Sequence, residues 1–423
     1  MQSNILNLKN NYPKSIIFNH LDDLQKKEID LIIHGQGVFI FENTDNNQIC
    51  SFRILNSDKS DGYVVNFLKK GILIDRVGMD DPLMDKDNTV GLTDMKGAYY
   101  WFSLDSQNQR IICGIGEPRM ETKTYIYEFT FTNDDDRKKN KKFLESLVTI
   151  NISNDSLALK NIKLIRDPIT SNVPLIIKNT HELTMDHIAE NKYLPNANLS
   201  LVSQILYDCI SGKHFVLNDK DFPEFSDAIE HSIKTEGCWC NTKLKEKQNE
   251  FSKDKPNVLE TYLRITLGEN NGESTGIPYV MEIWPIGHYS PIHSHGNANA
   301  VIRVLNGTIN VSLYGYLNND LKPFAVTNFV KDEITWISSN LNQIHKLENL
   351  PSSTDTCITI QCYIYNKNDT VHYDYFDFID DTGNIQQYEP DSDMDFVQFK
   401  KLMKKEWLEM KAMKIANKCC GLY

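Results

Sequence analysis

Trp284-Pro285-Ile286-Gly287-His288-Tyr289-Ser290-Pro291-Ile292-His293-Ser294-His295 is the stretch on which the reading of this chain turns. In an extended segment residues i and i+2 project from one face, so His293 and His295 stand side by side and offer two imidazoles to one metal ion. A third candidate ligand, His345, follows a strand-like run after a gap that suits a few hairpins, with Asn349 four residues beyond it. A His-x-His pair by itself reads equally well as two surface histidines. His345 as a third imidazole turns the reading to a metal site.

Working outward, Leu199, Val202, Leu206, Cys209 and Ile210 recur at helical spacing, and so do Phe222, Phe225, Ile229 and Ile233. These predict two helices. After Pro256 the runs 259–267, 279–284, 300–305, 308–315, 333–337 and 357–365 read as strands punctuated by glycine and asparagine, which predicts a helix-decorated β-barrel. Upstream, 31–42, 62–68, 71–77, 98–104, 110–114 and 124–132 are short extended runs rich in β-branched and aromatic residues, the pattern of a β-sandwich. Gly35-Gln36-Gly37 and Gly114-Ile115-Gly116 open no helix, so hairpin turns account for them better than a dinucleotide loop. The acidic-then-basic run 133–142 predicts an exposed loop. Beyond 395, Phe399, Met403, Trp407, Met410 and Ile415 lie near one helical face with lysines elsewhere, predicting an amphipathic helix that packs on its own chain or on a second copy. The expected organisation is a sandwich domain over 1–190, a barrel domain over 191–388 and a helix over 389–423.

The chain has 423 residues and a net charge of −12, so a nucleic-acid-binding surface is not expected. Apolar runs such as 15–18 and 38–41 fall far short of the roughly 18–20 residues of a membrane span. No basic segment followed by an apolar core opens the sequence, and nine cysteines stand in no regular framework, so a cytoplasmic protein with reduced thiols is expected. A virion component is the alternative if the source is a large virus. Cys238-Trp239-Cys240 and Cys419-Cys420 are too closely spaced for half of a standard zinc site.

Residues from about 199 to 385 resemble cysteine dioxygenase, a cupin. The resemblance is carried by Tyr262-Leu263-Arg264, by Trp284 to His295, by Val304-Leu305-Asn306-Gly307 and by Ile344-His345-Lys346-Leu347-Glu348-Asn349, with Asp369-Thr370-Val371-His372 downstream. It implies a mainly β chain in which a sandwich precedes a cupin (jelly-roll) barrel with leading helices. It also implies Fe(2+) held by His293, His295 and His345, with L-cysteine and O2 as reactants and Arg264 pairing with the substrate carboxylate. Tyr262 would shape the pocket, and Trp284 serves as core or pocket wall. Where a typical cupin supplies a glutamate ligand this sequence has Ala300, which leaves three neutral imidazoles and the full 2+ charge of the ion for an anionic thiolate.

The family's outer Ser-x-His-x-Tyr triad falls on Thr359-Ile360-Gln361-Cys362-Tyr363, with Tyr365 as an alternative match for the tyrosine. Gln361 cannot exchange protons with a tyrosine as a histidine can. A slower or altered dioxygenase is therefore one expectation. A cupin retained for structure or recognition, as an assembly or coat component, is the other. In the first domain, Ala98-Tyr99-Tyr100-Trp101-Phe102 and Arg110 to Gly116 faintly resemble the farnesoic acid O-methyltransferase-like module, which implies a ligand or protein partner for that domain.

Overall fold

Side-chain alternation builds both halves of the molecule. The structure is a computed structural model that describes residues 15–20, 27–44, 49–77, 91–92, 98–153, 159–169, 176–190, 192–252, 255–267, 279–295, 298–314, 317, 323, 325–338, 344–364 and 375–420. The chain divides into two compact units, the first ending at Ser171 and the second opening at Asn172. The expected boundary at 190 therefore differs from the observed one. Residues 172–190 go with the barrel because β12 pairs with β13 inside it, and the C-terminal helix packs there too.

The first unit contains β1 (Ser15–His20), β2 (Glu28–Asp30), β3 (Gln36–Asn43), β4 (Cys50–Asn56), β5 (Gly62–Leu68), β6 (Gly71–Arg76), β7 (Ala98–Asp105), β8 (Arg110–Ile115), β9 (Lys123–Glu128), α1 (Asp134–Glu145), β10 (Leu147–Ile152) and β11 (Leu159–Ile165). One sheet runs β1-β11-β3-β7-β8-β9 and the other β2-β10-β4-β5-β6. Phe39 and Phe41 of β3 and Tyr100 and Phe102 of β7 meet Phe52 of β4 and Phe67 of β5, with ring centroids 4.6–6.2 Å apart. This aromatic layer is the sandwich core, and its rings prefer such offset and tilted packing.

The loop expected over 133–142 is instead helix α1. Asn133 caps it by accepting from the Asp136 amide at 2.9 Å, three aspartates fill the first turn and Lys142 the last. Acid-before-base is the order that a helix dipole favours, and Lys138 pairs with Asp134 one turn away at 3.0 Å. Arg137 and Leu144 are buried against the sandwich.

The second unit contains β12 (Ile176–Lys178), α2 (Met185–Ala189), β13 (Tyr193–Pro195), α3 (Leu201–Ile210), α4 (Phe225–Lys234), α5 (Trp239–Glu246), β14 (Leu263–Leu267), β15 (Tyr279–Trp284), β16 (Asn299–Asn306), β17 (Thr308–Leu313), β18 (Ala325–Val330), β19 (Ile334–Ile337), β20 (His345–Glu348), β21 (Cys357–Ile364), β22 (Phe376–Ile379), β23 (Ile385–Tyr388), β24 (Met394–Asp395) and α6 (Phe396–Cys420). The larger sheet has the order β19-β16-β21-β15-β14-β24. Opposite it stands β18-β17-β20, continued by the extended residues 289–294, which bridge β20 at Tyr289 and His293 and bridge β22 at His293. The hairpin β22-β23 closes that layer.

Odd and even positions of the larger sheet do different work. Leu263, Ile265, Met281, Ile283, Ile358, Ile360 and Cys362 pack outward on α3, α4, α5 and α6. Tyr262 and Trp284 face the opposite way and pack with Val311 of β17, Phe329 of β18 and Phe378 of β22 inside the barrel. Arg264, Glu282, Thr359, Gln361 and Tyr363 share their side of the pleat and are buried there. The sheet's polar inner rows are thus placed by the same alternation that builds its apolar outer face.

In α6, Phe399 and Met403 are fully buried, whereas Ile415, expected on the same stripe, is 64% exposed. The helix has 25 residues against the ten of α4 on which it packs, so its last turns outrun their support. No helix among the described residues is long and apolar enough to cross a membrane.

Two glycines of the barrel are testable. Gly307 has φ +70° at the β16–β17 turn, and a Cβ there would meet the Thr356 carbonyl oxygen at 2.8 Å. Gly287 also has positive φ, +82°, but its Cβ direction is open. Gly307→Ala is expected to cost about 2–3 kcal/mol in urea unfolding and Gly287→Ala about 1 kcal/mol, since only the first adds a backbone clash to the conformational strain.

Candidate metal centre

His293 and His345 are brought together by backbone. Each amide donates to the other's carbonyl at 3.0 Å, a closed pair between the extended segment and β20. His295, two residues on, projects to the same place. The three Nε2 atoms converge, with His295 lying 3.2 Å from His293 and 3.3 Å from His345, and all three ligand atoms lie within 4.8 Å of one another. The donor set fits a metal ion. The His293 Nδ1–H donates to the Pro291 carbonyl at 3.0 Å, which leaves its Nε2 lone pair facing the cluster. His295 is 5% exposed, and its buried Nδ1 has no hydrogen-bond partner. Three neutral imidazoles this close cannot satisfy one another fully; an ion accepting all three lone pairs would.

Burial holds the His293 and His295 rings neutral. His293 is pushed down to about 4 from the usual 6.5, and His295 lies well below 6.5 through burial and then through His293, His345 and Arg264. A depressed histidine contributes stability that is complete above pH 6.5 and is lost as pH falls toward 4. For His293 that loss is about 3 kcal/mol. Metal-free protein is thus expected to unfold at a markedly lower temperature at pH 4 than at pH 7, with a smaller drop in His293→Gln; equal drops in calorimetry would refute this account.

One row of the larger sheet carries the chemistry next to the triad. In the strand register Arg264 of β14 stands opposite Glu282 of β15, which stands opposite Thr359 of β21. Arg264 is 9% and Glu282 4% exposed, and their charged ends are 4.0 Å apart. Gln361 donates to Glu282 and, at 3.2 Å, to Thr359, while the Tyr363 hydroxyl donates to the Gln361 side-chain oxygen. Gln361 therefore holds Tyr363 at one end and Glu282 at the other. Burial raises the Glu282 carboxyl and Arg264 works against that rise.

Tyr363 lies opposite Ala300 in the β16–β21 register, and its ring centroid is 6.3 Å from that of His295. The place expected for a fourth ligand is therefore lined by a methyl group and a phenol. Tyr262 stacks on Trp284 at 4.2 Å; Trp284 is core, and Tyr262 is both core and pocket wall. A small cleft opens beside His293 between Phe251, Tyr262, Phe376, Phe378 and Tyr388. His288 is buried with Nδ1 on the Thr261 carbonyl at 2.9 Å and takes no part in the triad. Asn349 ties the chain after β20 to the Trp284 carbonyl at 2.9 Å. Tyr365 and the run from Asp369 to His372 lie outside the described residues. Glu282 and Phe376, the latter 4.4 Å from the His295 ring, were not picked out from the sequence.

No family model matches the chain. Among solved structures it is similar to a cupin 2 domain-containing protein from Halorhodospira halophila, at 14% identity over 32% of this chain and 73% of that chain, TM-score 0.20. It is also similar to the cupin domain of an XRE-family transcriptional regulator from Enterobacter cloacae, at 14% identity over 25% and 98%, TM-score 0.20. A cupin-like protein from Thermotoga maritima matches at 15% identity over 23% and 66%, TM-score 0.19. The second unit is a mainly β barrel of the jelly-roll kind, and its three converging histidines could hold a metal ion.

Proposed function

We propose that the barrel is an iron(II)-dependent thiol dioxygenase that oxidises L-cysteine to cysteine sulfinic acid. The reaction balances as RSH + O2 giving RSO2H, with both oxygen atoms ending on sulfur and the sulfur oxidised by four electrons. The observation that carries the reading is the convergence of three neutral imidazoles beside a buried arginine, with no carboxylate in the cluster among the described residues. Bound iron(II) would relay electrons from the thiol sulfur to dioxygen. His293, His295 and His345 would hold it.

Arg264 offers a planar fork to the substrate carboxylate, and its burial makes that pairing strong relative to one in water. Tyr262 and Phe251 exclude water from one side of the pocket. Tyr363, fixed by Gln361, presents its phenol toward the triad and orients the bound thiol. Gln361 accepts and donates hydrogen bonds but carries no mobile proton near neutral pH, so Tyr363 is positioned without a proton partner.

The reading predicts oxygen uptake by the iron-loaded protein on addition of L-cysteine, with one sulfinate formed per O2. Uptake without sulfinate, or tight iron binding without uptake, would instead favour the second reading, a cupin kept for structure or recognition. Gln361 at the place of a histidine is the observation on that side.

A further inference from the structure

We infer that Glu282 sets which thiols the site accepts, selecting a net-neutral amino thiol acid over a net-anionic thiol acid. The inference rests on the dioxygenase reading and adds to it a residue that the sequence motifs do not contain. Glu282 stands directly across from Arg264, 4.0 Å from its guanidinium, and its other oxygen is held by Gln361. The arginine thus carries its own counter-ion. Around it, Lys247 is the other buried cation, 5.4 Å from the Tyr262 ring centroid, and it is taken up by Asp393 at 3.0 Å and Glu250 at 3.4 Å. Asp393 also accepts from the Arg264 amide at 2.7 Å. Lys243 also reaches Asp393 at 4.0 Å, so three cations meet three carboxylates in this wall of the barrel and Arg264 is left to Glu282.

A carboxylate arriving at Arg264 meets Glu282 at close range in a water-poor site, where like charges repel strongly. An α-amino thiol acid brings an ammonium with the carboxylate and offsets that repulsion. A thiol acid without the amine does not. Glu282→Gln keeps the shape and the acceptor for Gln361 while removing the charge, so it isolates the electrostatic part.

The experiment is anaerobic calorimetric titration of the iron(II)-loaded full chain with L-cysteine and with 3-mercaptopropionate, where no turnover occurs. The native protein is expected to favour L-cysteine by at least about tenfold, and Glu282→Gln to narrow that preference on the order of tenfold by gaining affinity for 3-mercaptopropionate. Glu282→Leu should narrow it in the same direction. An unchanged ratio, or equal loss of affinity for both thiols, would overturn the role of Glu282 while leaving the dioxygenase reading standing. Binding of neither thiol to the native protein would overturn both.

Discussion

His295→Ala is expected to lower iron(II) occupancy at least tenfold and to reduce cysteine oxidation to the uncatalysed background. Among the three candidate ligands His295 is central, with its Nε2 within 3.3 Å of both others. Its removal would leave two imidazoles for a divalent ion, with no carboxylate in the cluster among the described residues. The same substitution should not unfold the barrel. It removes a buried ring nitrogen with no partner, so the metal-free variant is expected to melt within a few degrees of the metal-free parent despite the cavity. Metal content by plasma emission, sulfinate yield and the melting temperature of the metal-free forms check the three parts. Normal iron content in the variant would remove His295 from the ligand set.

The second large effect concerns Arg264. Arg264→Ala is expected to raise the apparent KM for L-cysteine by about a hundredfold while iron content stays near that of the parent, because the proposed reading gives the guanidinium to the substrate carboxylate and metal to the three imidazoles. It also strands Glu282, which is 4% exposed, without its counter-charge. Breaking one side of a buried pair costs about 3–5 kcal/mol, and replacing both sides by apolar residues recovers much of it. The double variant Arg264→Leu with Glu282→Leu should therefore be more stable than Arg264→Ala alone and equally poor in cysteine binding. Urea unfolding and steady-state kinetics separate these outcomes. If KM for cysteine is unchanged, the carboxylate is recognised elsewhere.

Much of this was legible in the sequence because the informative residues are local. His293 and His295 are two positions apart, Gly307 marks a turn whose φ is +70°, and Tyr262 and Arg264 share one side of a strand. Glu282 was hidden because it lies in 279–284, a run of otherwise apolar and aromatic residues that reads as plain core strand. Its meaning appears only when the register sets Arg264 on one side of it and Thr359 on the other. The histidine replaced by Gln361 was legible as a loss, but the hydrogen bond from Gln361 to Glu282 joins strands β21 and β15 and has no trace in linear spacing. For helix α1 the charges alone fit an exposed loop, and the helix signal lies in their order along the chain, acidic residues first and basic residues after. Exposure of Ile415 depends on where the partner helix stops, which periodicity does not encode.

The reciprocal amide-to-carbonyl pair between His293 and His345 sets the order in which this site comes into being. The backbones that carry two of the three imidazoles are fixed by main-chain bonds that need no ion, so a metal ion captured there would have only side-chain torsions left to restrict. Uptake should then be fast and leave the fold unaltered. The two amides should exchange slowly with solvent deuterium whether or not the protein is loaded, and their protection would date the birth of the site to the closing of the sheet.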